Sequence, residues 1–138
     1  MIIAVDFDGT IVESAYPKIG KELPFAVETL KQLAADGHKL ILWTVRHGQR
    51  LDEALKWCNA KGLYFYAVNS NVPLDSLFTK NEGSRKILAD IFIDDCNLGG
   101  LPDWGEIYGL VCEMEGKNRA HKGRSSRRRG WLSRLWKR

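Results

Sequence analysis

Apolar residues along this chain follow two rhythms. Ile2-Ile3-Ala4-Val5, Leu40-Ile41-Leu42-Trp43, Tyr64-Phe65-Tyr66-Ala67-Val68 and Ile91-Phe92-Ile93 are continuous apolar runs rich in β-branched and aromatic residues. Runs of this kind predict short strands buried on both faces. Between the first two runs, Leu23, Ala26, Val27, Leu30, Leu33 and Ala34 recur at helical spacing, with Pro24 near the start and Gly37 just past the end. Leu51, Ala54, Leu55 and Cys58 mark a second helix that Gly62 stops, and Trp104 to Met114 reads as a third. Residues 69–83, with Asn69, Asn71, Pro73, Asn81 and Gly83, read as loop. No internal repeat is visible. Alternating strands and helices predict an α/β fold, a parallel sheet covered by helices on both faces in three layers.

In such a sheet, ligands bind at the carboxyl ends of the strands. Three of the four strands end in residues with useful chemistry: Asp6 and Asp8, then Thr44 and Arg46, then Asp94 and Asp95. The fold therefore predicts their convergence on one edge. Asp6 and Asp8 lie two apart on an extended segment, so both point the same way while Phe7 points to the core. Gly9 permits the sharp turn that follows. A lone strand-end Asp is usually a solvated acid or a helix cap, but several crowded carboxylates repel unless something neutralises them. A hard divalent cation does so through oxygen ligands, and Mg²⁺ is the usual choice for phosphate chemistry.

Asp6-Phe7-Asp8-Gly9-Thr10 after an apolar strand resembles the first motif of the haloacid dehalogenase-like (HAD) superfamily. Thr44 resembles its second motif, Lys86 its third, and Asp94-Asp95 after Ile91-Phe92-Ile93 its acidic fourth. The match spans residues 1 to about 115, in order. The resemblance implies a Rossmann-like core and a phosphatase. Asp6 would be the nucleophile that forms an aspartyl-phosphate, and Asp8 the acid and then the base. Mg²⁺ would lie between the Asp6 carboxylate, the Asp8 backbone carbonyl and Asp94, with Asp95 contributing directly or through water. Thr44 and Lys86 would hold phosphoryl oxygens. Thr10 would orient the loop, and Gly9 and Thr10 would border the substrate. Lys80 and Arg85 are alternatives to Lys86. An acid two residues after the nucleophile favours phosphate ester hydrolysis over dehalogenation, because a poor alkoxide leaving group needs a proton.

HAD phosphatases often carry a cap domain. About a dozen residues separate Thr10 from the next helix, and residues 45–85 are already used by a helix, a strand and a loop, so no room remains for one. The chain resembles the capless branch, in particular short uncharacterised bacterial members. An open site implies a large phosphorylated substrate, or a site completed by a neighbouring subunit of a homo-oligomer.

Val45-Arg46-His47-Gly48 resembles the Arg-His-Gly signature of histidine phosphatases, but it follows the second strand rather than the first. The one later histidine, His121, lies in a basic tail. Two readings stand for Arg46 and His47: substrate contacts at the rim of the carboxylate site, or solvated loop residues. Trp57, Tyr64, Phe65, Tyr66 and Trp104 read as core packing. Cys96 reads as a buried small residue, and Asn97-Leu98-Gly99-Gly100 as a turn supporting the fourth motif.

Charge divides the chain. Residues 1–115 hold 11 Lys and Arg against all 17 Asp and Glu, a net of −6, while residues 116–138 hold ten Lys and Arg and no acid. The expected organisation is a HAD-like hydrolase domain over 1–115 and a basic, Trp-containing tail over 116–138. Trp131, Leu132, Leu135 and Trp136 would share one face of a short helix. Contact with an anionic membrane surface, contact with nucleic acid, docking on the domain or a second subunit, and a disordered solubilising tail all fit this segment. Three widely spaced cysteines argue against a disulfide framework and fit a reducing cytoplasm. The N-terminus lacks the pattern of a secretory signal. A Mg²⁺-dependent phosphomonoester hydrolase leads these readings. The alternatives are a nucleic-acid-associated module, as a polynucleotide end phosphatase or a tail-mediated binder, and a non-catalytic HAD scaffold.

Overall fold

The computed structural model describes residues 1–75 and 84–135, with side chains through residue 120. Strand β1 is Ile2–Val5, helix α1 Ala26–Ala35, strand β2 Lys39–Leu42 and helix α2 Gly48–Ala60. Strand β3 is Ala67–Val68, strand β4 Ile91–Ile93 and helix α3 Trp104–Leu135. The four strands form one parallel sheet in the order β3-β2-β1-β4. The fold is α/β.

Met1–Gly105 and Glu106–Arg138 are two compact units. In the first, Ile3, Val5, Leu40 and Leu42 are buried. Phe7, just past β1, meets Trp57 of α2 edge-on at 5.8 Å. Lys31 of α1 donates to the Lys61 carbonyl at the end of α2, so both helices lie side by side on one face. Right-handed crossovers stepping from β1 to β2 to β3 have this outcome. On the other face, Ala4, Ile41 and Ala67 pack with Ile87, and Trp43, Tyr66 and Phe92 close around them. The β3-to-β4 connection supplies that cover. Among its described residues there is no helix, so the expected second helical layer is not seen there.

The third strand is shorter than the apolar run predicts. Tyr64 is exposed and Phe65 buried, and the ladder begins at Ala67. The continuous pattern reflects aromatic cover over a loop as well as strand. Helix α1 also starts late, at Ala26. Phe25 before it adopts a left-handed conformation and offers no side-chain cap; the Glu22 carboxylate accepts from the Val27 N–H instead. Helix α3 continues past Met114 to Leu135. In the second unit, Glu115 pairs with Arg119 one turn on, at 2.6 Å. The side chains of the basic tail, His121 included, lie outside those described. Among the described residues no helix is long and apolar enough to cross a membrane.

Candidate active site

The carboxyl ends of all four strands meet on one edge. Backbone bonds carry the ladder one step beyond each strand: Asp6 N–H donates to the Ile93 carbonyl, Trp43 N–H to Val5 and Asn69 N–H to Leu42. Asp6, Thr44, Asn69 and Asp94 thereby line one open cavity of about 380 Å³, together with Arg85 of the β3-to-β4 connection and the apolar Trp43 and Val45.

The turn after β1 is tight. The Phe7 carbonyl accepts from the N–H groups of Thr10, Ile11 and Val12. Gly9 stands at φ +80°, and a Cβ there would lie 2.5 Å from an Asp95 carboxylate oxygen. Both the left-handed backbone and this close approach require glycine. Thr10 is fully buried. Its hydroxyl accepts from the Asp95 N–H at 3.1 Å and lies 3.2 Å from Asp6 Oδ2 and 3.3 Å from Asp95 Oδ1. One hydroxyl proton serves one of these carboxylates at a time. Thr10 thus ties the turn after β1 to the loop after β4, and it lies beneath the surface rather than at a rim. Trp104 completes the support, donating Nε1–H to the Thr10 carbonyl at 3.1 Å.

Asp6 is half-buried, and burial pushes its carboxyl up to about 6; the neighbouring charges of Asp94 and Asp95 push the same way, against hydrogen bonds from the Phe7 N–H and Thr10. The structure thus concentrates negative charge at this edge. Asp94, Asp95 and the Cys96 thiol bring a ligand atom each within 4.8 Å of one another. Asp94 Oδ1 also accepts from the Cys96 N–H at 2.8 Å. The two carboxylates of this group suit a hard cation such as Mg²⁺, whereas the thiol does not. Cys96 is exposed, contrary to the buried position expected, because it sits at the loop apex after β4. The nearby carboxylates, Asp95 foremost, push its thiol up.

Thr44 ends β2, and its hydroxyl accepts from the Arg46 N–H at 3.1 Å. The hydroxyl proton is left to donate toward the cavity. Asn69 holds the Thr44 backbone, its Oδ1 accepting from Thr44 N–H and its Nδ2 donating to Thr44 O. The sequence reading placed Asn69 in a loop without a role. The available signal is an Asn directly after the apolar run, a residue that tolerates the left-handed region it adopts here at φ +47°.

Two expected site residues stand elsewhere. Lys86 and Arg85 are both exposed, and of the two Arg85 lines the cavity. Lys80 lies outside the described residues. Arg46 is 1% exposed, so it is no rim contact. Its Nε and Nη2 donate to the two Asp8 oxygens at 2.7 and 2.6 Å, and its other bonds go to the Pro17 and Lys18 carbonyls. This pairing with Asp8 raises the pKa of the guanidinium further. His47 is exposed beside the start of α2. A second cleft, of about 430 Å³, lies between α1 and Lys61; its Lys61 and Glu22 pair with each other at 2.9 Å.

No family model matches the chain, and no curated protein matches it. Among solved structures, the conserved protein coded by a locus from Bacteroides thetaiotaomicron is similar, with 59% sequence identity and a TM-score of 0.77. The match covers 83% of this chain and 91% of that one. At this identity and coverage, the chain belongs to the family of that conserved Bacteroides thetaiotaomicron protein.

Proposed function

We propose that this protein is a Mg²⁺-dependent phosphomonoester hydrolase with a capless, HAD-like Rossmann core. The observation that carries this reading is the half-buried Asp6 in an open cavity with Thr44, Arg85 and Asp94 around it. Asp6 is the nucleophile. Its carboxylate oxygen attacks phosphorus, the bond to the leaving oxygen breaks, and an aspartyl-phosphate forms. Asp8 gives a proton to the leaving oxygen and takes one back from the water that hydrolyses the intermediate. Thr44 donates its hydroxyl proton to a phosphoryl oxygen, and Arg85 supplies the positive charge expected of Lys86 from sequence.

Asp6, Asp94 and Asp95, with the Asp8 backbone carbonyl, would hold Mg²⁺ through oxygen, leaving the Cys96 thiol beside Asp94 and Asp95 out of the set. The ion would supply charge neutralisation, so that an anionic nucleophile meets an anionic phosphate. The open cavity favours a phosphate presented on a larger molecule. Three free cysteines, Cys58, Cys96 and Cys112, accord with a cytoplasmic setting.

The test is phosphate release from a panel of sugar phosphates, nucleotides, phosphopeptides and end-phosphorylated oligonucleotides with Mg²⁺. Wild type is compared with Asp6→Asn and with EDTA. Activity lost in both controls supports the reading; activity retained by Asp6→Asn sinks it.

A further inference from the structure

We propose that Arg46 is a positioning residue for Asp8, and that it couples the orientation of that carboxylate to the loop over residues 13–22. The inference rests on the phosphatase reading and concerns how its acid–base group is held.

Arg46 is the largest of the fully buried side chains. Burying a guanidinium is costly unless its charge is paired and its protons are bonded. Here the two parallel bonds to Asp8 meet that cost in the bidentate geometry that fixes a carboxylate in plane as well as in position. Only 16% of the Asp8 side chain is exposed. Each Asp8 oxygen keeps a second lone-pair site beyond the one Arg46 uses. The pair therefore orients Asp8 without removing its capacity to carry a proton.

The same guanidinium binds the loop. Its Nη2 donates to the Lys18 carbonyl at 2.8 Å and its Nη1 to Pro17 at 3.3 Å, and it lies between the Phe7 and Tyr16 rings, 5.1 and 5.2 Å from their centroids. The loop is closed at its base by Glu13 N–H to the Lys21 carbonyl and Leu23 N–H to Ile11. Tyr16 is 55% exposed, so the loop has an outer face that can be altered without entering the buried pair. Loop seating and Asp8 orientation share one set of donors, so disturbing either disturbs the other.

The affected step is departure of the leaving group. The electron pair of the breaking P–O bond stays on the leaving oxygen, and the Asp8 proton moves to that oxygen. Asp8 is left anionic against Arg46⁺, which stabilises the new charge. A leaving group that departs readily as an anion depends little on this transfer; a poor one depends on it strongly.

The experiment compares 4-nitrophenyl phosphate with phenyl phosphate, two probes of similar size. Phenol, with a pKa of about 10, is the poorer leaving group. Asp6→Asn is run alongside as the test of the underlying reading. Arg46→Lys is expected to lower kcat/KM for phenyl phosphate at least tenfold more than for 4-nitrophenyl phosphate, about a tenth or less of what general acid catalysis can supply. Tyr16→Leu, which leaves Arg46 in place, is expected to shift the ratio in the same direction by a smaller factor. Because each ratio compares two substrates on one preparation, it is independent of the fraction of variant that folds. Equal losses on both substrates overturn the positioning role, and an unchanged ratio in Tyr16→Leu overturns the coupling to the loop. A wild type without Asp6-dependent hydrolysis overturns the phosphatase reading instead, and this inference with it.

Discussion

Asn69 grips both polar groups of the Thr44 backbone: its Oδ1 accepts from the Thr44 N–H at 2.8 Å and its Nδ2 donates to the Thr44 carbonyl at 2.7 Å. A side chain thus does what a neighbouring strand would do, just where β3 ends. The pairing holds Thr44 at the cavity wall while its hydroxyl stays free to donate. Asn69→Gly keeps the positive φ and removes the grip. It is expected to cost about 2 kcal/mol in urea unfolding, from two bonds to a part-buried backbone. KM for a phosphomonoester should rise with it. An unchanged unfolding midpoint would show that water replaces the side chain.

Asp6 makes a prediction about pH. Its folded-state pKa, about 6, lies above the ordinary carboxyl value of 3.8 because burial disfavours the charge. Well below pH 4 the group is protonated folded and unfolded, and it costs nothing. As pH rises through about 6, ionisation is harder in the fold than in the unfolded chain, and stability is lost. A two-unit shift corresponds to at most about 3 kcal/mol, and the open, solvated site reduces this to about 1 kcal/mol. Asp6→Asn is therefore expected to be more stable than wild type at about pH 8 and equal to it at about pH 3, in Mg²⁺-free buffer. A stability difference that persists at the acid end would assign the effect to something other than this charge.

Arg85 and Lys86 separate the two candidate phosphate-binding cations. Both are exposed, but Arg85 lines the cavity with Asp6 and Asp94. Arg85→Ala is expected to lower kcat/KM for phosphomonoesters by about tenfold or more, the scale of one charge-assisted hydrogen bond. Lys86→Ala should change it less than threefold, in keeping with a loss of under about 1 kcal/mol for a surface charge. The reverse ranking in steady-state kinetics would restore the assignment made from sequence.

Gly9 presses against Asp95, and a Cβ there would meet its carboxylate oxygen at 2.5 Å while the backbone holds φ at +80°. Gly9→Ala is expected to cost about 1–2 kcal/mol from the left-handed backbone alone. Displacing Asp95 should also weaken Mg²⁺ binding. Isothermal titration with Mg²⁺ on wild type and variant checks this; equal affinities would show that Asp95 takes no part in holding the ion.

The pattern of residues already contained the sheet and its chemical edge. Four apolar runs predict four strands, and each strand that ends in Asp or Thr delivers that residue to the same side, because parallel strands share a direction. Asp6, Thr44 and Asp94 were legible in this way, as was the need for glycine at position 9. These inferences use spacing within a few residues, where local stereochemistry rules.

The rest depended on partners distant along the chain. Arg46 reads as a substrate contact at the rim or a solvated loop residue, yet it is buried, because Asp8, 38 residues away, and two loop carbonyls meet its donors. Thr10 reads as a site-rim residue, yet it is sealed beneath Asp95, 85 residues on. Asn69 reads as loop, yet it completes the backbone of Thr44 from 25 residues away. Between Arg85 and Lys86 the deciding fact is which one lines the cavity, in a segment without regular periodicity where neighbouring residues do not set the answer. Local sequence determined where the strands are and what stands at their ends. Only the tertiary structure decided which charges are buried and paired, because a side chain is buried when the folded chain brings its partner to it.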